Sequence, residues 1–167
     1  MKTSSLQQQY QICTDILLQA GTLLQKEVKR KQPRGYGNKA PVDLEIDQLI
    51  CTQLRKHFPQ DNIHSEEQGL SLGSSSRTFW IDPHDGTKDF LIGARETSIS
   101  IALVENETLL MGFVYAPNSS PLLGPQGLLV SSMIGQQPQL HFPLYPQNND
   151  PTILLSVRAP KQTQRKI

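Results

Sequence analysis

The sequence predicts an α+β fold in which two N-terminal helices pack on an antiparallel sheet. Three observations lead there. Apolar residues recur at helical spacing early in the chain, they alternate with polar ones at strand spacing later, and no helix-length pattern separates consecutive strands as a parallel βαβ sheet requires. At 167 residues the chain has the usual size of one domain and is long enough to bury a core.

The first helix is read over residues 4–31, where Leu6, Tyr10, Cys13, Leu17, Ala20, Leu24 and Val28 form one apolar face. KRKQPRGYGNKAP then breaks the pattern with Pro33, Gly35, Gly37 and Pro41, and reads as a mobile, basic, solvated linker. A second helix over 42–57 places Val42, Ile46, Leu49, Ile50 and Leu54 on one side and Asp43 and Asp47 on another, with Pro59 ending it. The helix dipole alone accounts for an acid at Asp43, so helix-end electrostatics and a functional role both stand.

PQDNIHSEEQGLSLGSSSR is turn-rich, with Ile63 its one apolar point before Glu66 and Glu67. TFWI reads as a strand that runs into the turn Asp82-Pro83-His84-Asp85-Gly86-Thr87, and TKDFLIG as the start of a short helix. Alternation over 98–103 and again over 109–116, joined tightly at Glu105-Asn106-Glu107, is a β-hairpin. A further strand is expected over 127–133, then a long Gln/Pro-rich surface loop, then a strand at ILLSV (153–157). KQTQRKI carries no packing signal, and the chain has no internal repeat.

Sixteen Lys and Arg balance fifteen Asp and Glu, which leaves no global field to capture a nucleic-acid polymer or an anionic membrane. No run of about 18 apolar residues could span a bilayer, and the N-terminus lacks a continuous apolar h-region. Cys13 and Cys51 lie at helix-like positions without metal or redox spacing and read as buried thiols in a reducing compartment. A cytoplasmic protein is the expectation.

Asp-Pro followed by Asp-Gly is strong turn punctuation and needs no function. Three features favour one. Gly86 and Thr87 open a helix whose first N–H groups lack intrahelical acceptors, a ready place for phosphate. Lys88 sits in that first turn, where a cation opposes the dipole unless an anion is near. Asp82, Asp85 and the His84 carbonyl offer the oxygen ligands that Mg²⁺ prefers. A magnesium site needs further oxygens, and the tandem Glu66-Glu67 just upstream is the best available source, although surface glutamates are commonly idle.

Asp43 at a helix start, 65-SEEQG-69, 80-WIDPHDGTKDF-90 and 99-ISIALVENETLLMGFVYAP-117 resemble, in order and spacing, the inositol monophosphatase-like family of Mg²⁺-dependent, lithium-sensitive phosphatases. The resemblance covers most of the chain and weakens beyond Pro121. DGTK followed by an acid and Phe is more similar to the 3'(2'),5'-bisphosphate nucleotidase (CysQ-like) branch than to the inositol monophosphatases. The resemblance implies that Glu66, Asp82 and the His84 main-chain oxygen hold one Mg²⁺, and that Asp82 bridges to a second ion bound by Asp85. It further implies that Asp43 bonds Thr87, that Thr87 with Glu66 orients the attacking water, and that Gly86, Thr87 and Lys88 receive phosphate. The implied reaction is hydrolysis of a small phosphorylated metabolite, a 3'(2'),5'-bisphosphate nucleotide such as 3'-phosphoadenosine 5'-phosphate, through two-metal activation of water.

The sequence departs from the family pattern in three places. His84 stands where the family has Leu, Ile or Val, with its carbonyl and not its ring expected to act. Pro41-Val42-Asp43 is a shortened form of the family's Pro-Val-Thr-x-x-Asp. Trp80 is the chain's one tryptophan, so the family's Trp-Asp-x-Ala segment has no counterpart. The expected organisation is a metal-binding N-terminal domain over 1–150 and the start of a truncated C-terminal domain over 151–167, the second α/β domain being missing and activity impaired. Inositol monophosphatase activity is the alternative. A non-catalytic fragment that binds metal, dimerises or pairs with a complementing chain is the rival from another class.

Overall fold

In the computed structural model, which describes residues 5–37, 39–94, 97–119 and 127–141, two long helices lie on one face of a seven-stranded sheet. Helix α1 (Leu6–Val28) begins at Ser5, whose hydroxyl accepts the Gln8 N–H at 3.2 Å while the Gln8 side chain accepts the Ser5 N–H at 2.9 Å. This reciprocal cap fixes the start of the helix. Cys13, Leu17, Ala20 and Leu24 are fully buried along its inner face. Gly21 lets the helix pack close on the sheet: a Cβ there would stand 2.2 Å from the Tyr115 ring.

The connection to α2 is solvated, as its Pro, Gly and basic residues suggest, with residues 29–32 and 35–37 exposed, but it is anchored at Arg34. Glu27, only 2% exposed, accepts hydrogen bonds from Arg34 between 2.6 and 3.2 Å and from Arg30 at 2.9 Å, and Arg34 continues to Glu45 at 2.9 and 3.1 Å. One arginine thus ties the end of the first helix, the loop and the second helix together. Tyr36 and Lys39 add a short antiparallel bridge. Helix α2 (Pro41–His57) opens with proline in its first turn, where a missing N–H costs nothing, and buries Val42, Ile46, Ile50 and Leu54 along one stripe.

The strands are β1 (Asn62–Ser65), β2 (Gly69–Ser71), β3 (Arg77–Asp85), β4 (Ser98–Glu105), β5 (Thr108–Ala116), β6 (Leu128–Met133) and β7 (Gln139–His141), in the order β2-β1-β3-β4-β5-β6-β7. A short helix, α3 (Thr87–Leu91), follows β3. The α+β class is as expected, with one correction: β1 and β3 run parallel, so the sheet is mixed at a single pair. The cause is local, since β1 turns back into β2 on its outer side and the chain then returns to β3 on the other.

The turn-rich reading of 59–77 therefore needs amendment. Two very short strands form there because tertiary contacts hold them: the Asn62 side-chain amide donates to the carbonyls of Ser75 and Arg77, and Asn62 Oδ1 accepts the Gly73 N–H. Buried Asp61 pairs with Arg77, which also reaches Gln9 on α1. The β4–β5 hairpin closes through Asn106 and Glu107, both left-handed at φ 45° and 66°, a two-residue turn that matches strand twist. Residues 139–141, expected as loop, pair with β6. The strand expected at 153–157 and the domain start expected over 151–167 lie outside the described residues.

Strand register divides the side chains between two faces. Ile63, Phe79, Leu103, Met111 and Met133 make one row beneath the helices. Tyr10 of α1 reaches that layer, packing on Phe113 with centroids 5.0 Å apart and bonding Ser131 at 2.5 Å. Opposite them, His64, Trp80, Ala102, Gly112 and Ser132 form a row on the face that no described helix covers. Cys13 is buried and Cys51 half-buried, both as free thiols. Burial pushes each up to about 12, assisted at Cys51 by the Asp47 charge, so neither is nucleophilic near neutral pH.

Candidate active site

The site forms where β3 ends. A one-residue bulge between Asp82 and Asp85 breaks the strand's alternation, so that Pro83 and His84 are both buried in succession. Asp82 belongs to the uncovered face, in the row of Ser100, Val114 and Val130. His84 turns toward α2. The chain then enters α3 through Gly86, whose φ of 93° is accessible mainly to glycine. Thr87, Lys88 and Asp89 occupy the first helical turn, and Phe90 N–H closes that turn on the Gly86 carbonyl at 2.9 Å.

Glu66 comes up beside Asp82 and Asp85 at the strand end. Burial pushes the Asp82 carboxyl up to about 6; the His84 N–H, donating at 3.0 Å, opposes this, while the Glu66 charge, the Asp85 charge and direct contact with the Glu66 carboxyl reinforce it. Glu66 is delivered by an extension of β1, its N–H donating to the Ile81 carbonyl at 3.1 Å. Glu67 is raised as well, by burial first and then by Asp43, Glu66 and Asp47. Asp85 is exposed and acts on Asp82 through charge. Among the described residues, no group of three or more His, Cys, Asp and Glu side chains is gathered closely enough to cage an ion unaided.

Mg²⁺ does not require such a cage, since it commonly keeps several waters and takes one or two protein carboxylates together with substrate phosphate. The Glu66–Asp82 pair, with like charges opposed beside half-buried Asp82, is a donor set that fits this ion. The His84 carbonyl accepts the Thr87 hydroxyl at 2.8 Å and keeps a second lone pair.

Behind the carboxylates, Asp43 and Asp47 use the buried side of α2. Asp43 accepts from His84 Nδ1 at 2.5 Å, from the Thr87 hydroxyl at 3.2 Å and from the Ala40 N–H at 3.2 Å. Asp47, fully buried, accepts from Ser65 Oγ, from Gln68 Nε2 at 2.6 Å and from Cys51 Sγ at 3.7 Å. Ser65 Oγ in turn accepts the N–H groups of Glu67 and Gln68 at 3.2 and 3.1 Å. Asp47 therefore shapes the turn that carries Glu66. Sequence reasoning noted Asp47 only as Asp43's neighbour on the helix; the signal was a second acid one turn on, inside an otherwise apolar contact zone. The His84 ring, set aside as the inactive part of that residue, bonds Asp43.

Residues 5–159 match the sequence profile described as the Inositol monophosphatase family. The chain belongs to that family. Among inositol monophosphatase relatives, a Thermotoga maritima protein named fructose-1,6-bisphosphatase/inositol-1-monophosphatase is 42% identical over 76 residues, 46% of this chain and 29% of its own length. The solved structure of a Thermotoga maritima IMPase superposes with a TM-score of 0.64 at 28% identity, covering 92% of this chain and 55% of that one. An inositol monophosphatase structure from Anabaena gives 0.66 at 25% identity, covering 82% and 48%. This family member thus spans about half the length of the solved relatives it matches.

Proposed function

We propose that this chain carries the metal- and phosphate-binding half of a Mg²⁺-dependent phosphomonoesterase site. The observation that carries the reading is the bulged end of β3, which sets Asp82 and Asp85 directly before α3 while the Glu66 N–H, on the Ile81 carbonyl at 3.1 Å, brings a third carboxylate alongside. Glu66, Asp82, Asp85 and the His84 carbonyl would hold the ion or ions. Bound Mg²⁺ supplies Lewis acidity toward water and phosphate oxygens. The first N–H groups of α3, at Gly86 and Thr87, would receive phosphate oxygens, with exposed Lys88 adding positive charge. Thr87, backed by Asp43, would orient the attacking water together with Glu66, and β3 and α2 keep these groups on rigid elements.

The substrate in this reading is a small 3'(2'),5'-bisphosphate nucleotide, on the strength of Lys88-Asp89-Phe90 following Gly86-Thr87. Inositol phosphate is the second reading, favoured by the activity in the Thermotoga relative's name. A non-catalytic metal- or partner-binding role is favoured by the open sheet face, where a groove of about 480 Å³ runs past Trp80, Asp82, Ser100, Ala102, Gly112 and Val114. Among the described residues no helix is long and apolar enough to cross a membrane, and the two unpaired thiols support a cytoplasmic setting.

Phosphate release from 3'-phosphoadenosine 5'-phosphate and from inositol 1-phosphate tests the reading. With Mg²⁺ the chain should turn over the nucleotide, lithium should inhibit it, and Asp82→Asn should fall to background. Turnover of inositol phosphate alone replaces the substrate. No release from either, with Mg²⁺ present, sinks the enzyme reading in favour of the non-catalytic one.

A further inference from the structure

Thr87 has one hydroxyl proton and two acceptors in reach, the His84 carbonyl at 2.8 Å and Asp43 Oδ2 at 3.2 Å. Both belong to one small circuit, because His84 Nδ1 bonds the other oxygen of Asp43 at 2.5 Å. The imidazole is wholly buried, edge-on to Phe90 at 5.0 Å between centroids, and its Nε2 has no hydrogen-bond partner. An aliphatic side chain would fill that space without leaving a nitrogen unpaired. What the imidazole adds is its bond to Asp43.

A carboxylate has no proton to give, so Nδ1 carries the one in this bond. Held at Oδ1, the Asp43 carboxylate cannot turn away, and Oδ2 stays directed at the Ala40 N–H and the Thr87 hydroxyl. Both acceptors open to the Thr87 proton then lie inside the protein. Its oxygen meets anything arriving from outside with lone pairs.

We propose that the His84 side chain is a positioning residue of the hydrolytic site. It clamps Asp43, Asp43 and the His84 carbonyl hold the Thr87 proton, and the Thr87 oxygen is left to accept from the attacking water. The catalytic consequence rests on the phosphatase reading above, whereas the clamp belongs to the metal-free chain and is measured there.

The test compares the wild-type chain with His84→Leu, His84→Asn and Asp43→Asn. Asn at 84 can place an amide N–H where Nδ1–H stands. In metal-free protein, proton NMR should show a far-downfield imidazole N–H that disappears in His84→Leu and moves upfield in Asp43→Asn. The Thr87 hydroxyl proton should exchange with water faster in His84→Leu and return toward the wild-type rate in His84→Asn. With Mg²⁺ and substrate, His84→Leu should lower kcat by about 10–100-fold with KM little changed, and His84→Asn should recover most of it. Equal Thr87 exchange in wild type and His84→Leu overturns the proposal. Should His84→Leu fail to fold, a wild-type imidazole N–H that is not downfield, or is unmoved by Asp43→Asn, does the same. A wild-type chain that releases no phosphate ends the phosphatase reading and leaves the NMR comparison to decide the clamp.

Discussion

Asp47 is fully buried and takes its hydrogen bonds from Ser65, Gln68 and Cys51, so its carboxylate has protein donors in place of water. Ser65 and Gln68 belong to the segment that carries Glu66, which links a position in α2 to a proposed metal ligand. Asp47→Ala strands the Ser65 and Gln68 donors and should cost roughly 1–3 kcal/mol by chemical denaturation. In the folded variant the Glu66 turn loosens, and Mg²⁺ affinity by calorimetry should drop by about tenfold or more. Asp47→Asn, which keeps an acceptor oxygen, should lose less of both. Unchanged stability in the alanine variant would show that Ser65 and Gln68 find other partners. Glu66, Asp82 and Asp85, which the structure brings to the end of β3, were legible in sequence from their order and spacing. Asp47 and the His84 ring were not, since each owes its role to a partner distant in sequence, 18 residues on for Ser65 and 41 residues back for Asp43.

At the scale of elements, both long helices, the strand before the turn and the hairpin were legible because each carries its own periodicity or turn residues. β1 and β2 were not: Ile63 is the only buried apolar residue of the pair, and side-chain bonds from Asn62, with the pairing to β3, hold them. The same applies to residues 29–37, whose composition is that of a linker and whose anchor is Glu27. Burial alone would raise the Glu27 carboxyl, but Arg34's hydrogen bonds and charge, with Arg30's charge, outweigh it and hold the group below its ordinary value of 4.5. A lowered native pKa adds stability that is present in full above 4.5 and is lost as pH falls through the native value. The stability gap between wild type and Glu27→Gln should therefore be constant near neutrality and narrow in acid, as followed by urea midpoints across pH. A gap independent of pH would sink the ion-pair account. Helix-to-sheet contact makes a separate prediction: Gly21→Ala drives a methyl into the Tyr115 ring and should destabilise by about 1–3 kcal/mol, although alanine favours an isolated helix. A stabilised Gly21→Ala chain would mean that α1 can lift from β5.

Taken whole, the molecule covers one side of its sheet and leaves the other to solvent among the described residues. Helices protect the Phe79 and Leu103 row, while Trp80, Leu109 and Val114 remain 45–51% exposed opposite them. Trp80 lies against His64, ring centroids 4.4 Å apart, two residues before Asp82 on the same strand face. It is also the sole indole in the chain. Selective excitation therefore interrogates that surface and nothing else: the isolated protein should emit toward the red and be quenched readily by acrylamide. Any polypeptide laid over the sheet, a second copy included, should move the emission blueward and shield it, giving a label-free titration of assembly that needs neither turnover nor metal. Blue, shielded emission from dilute monomer would mean that the face is already covered.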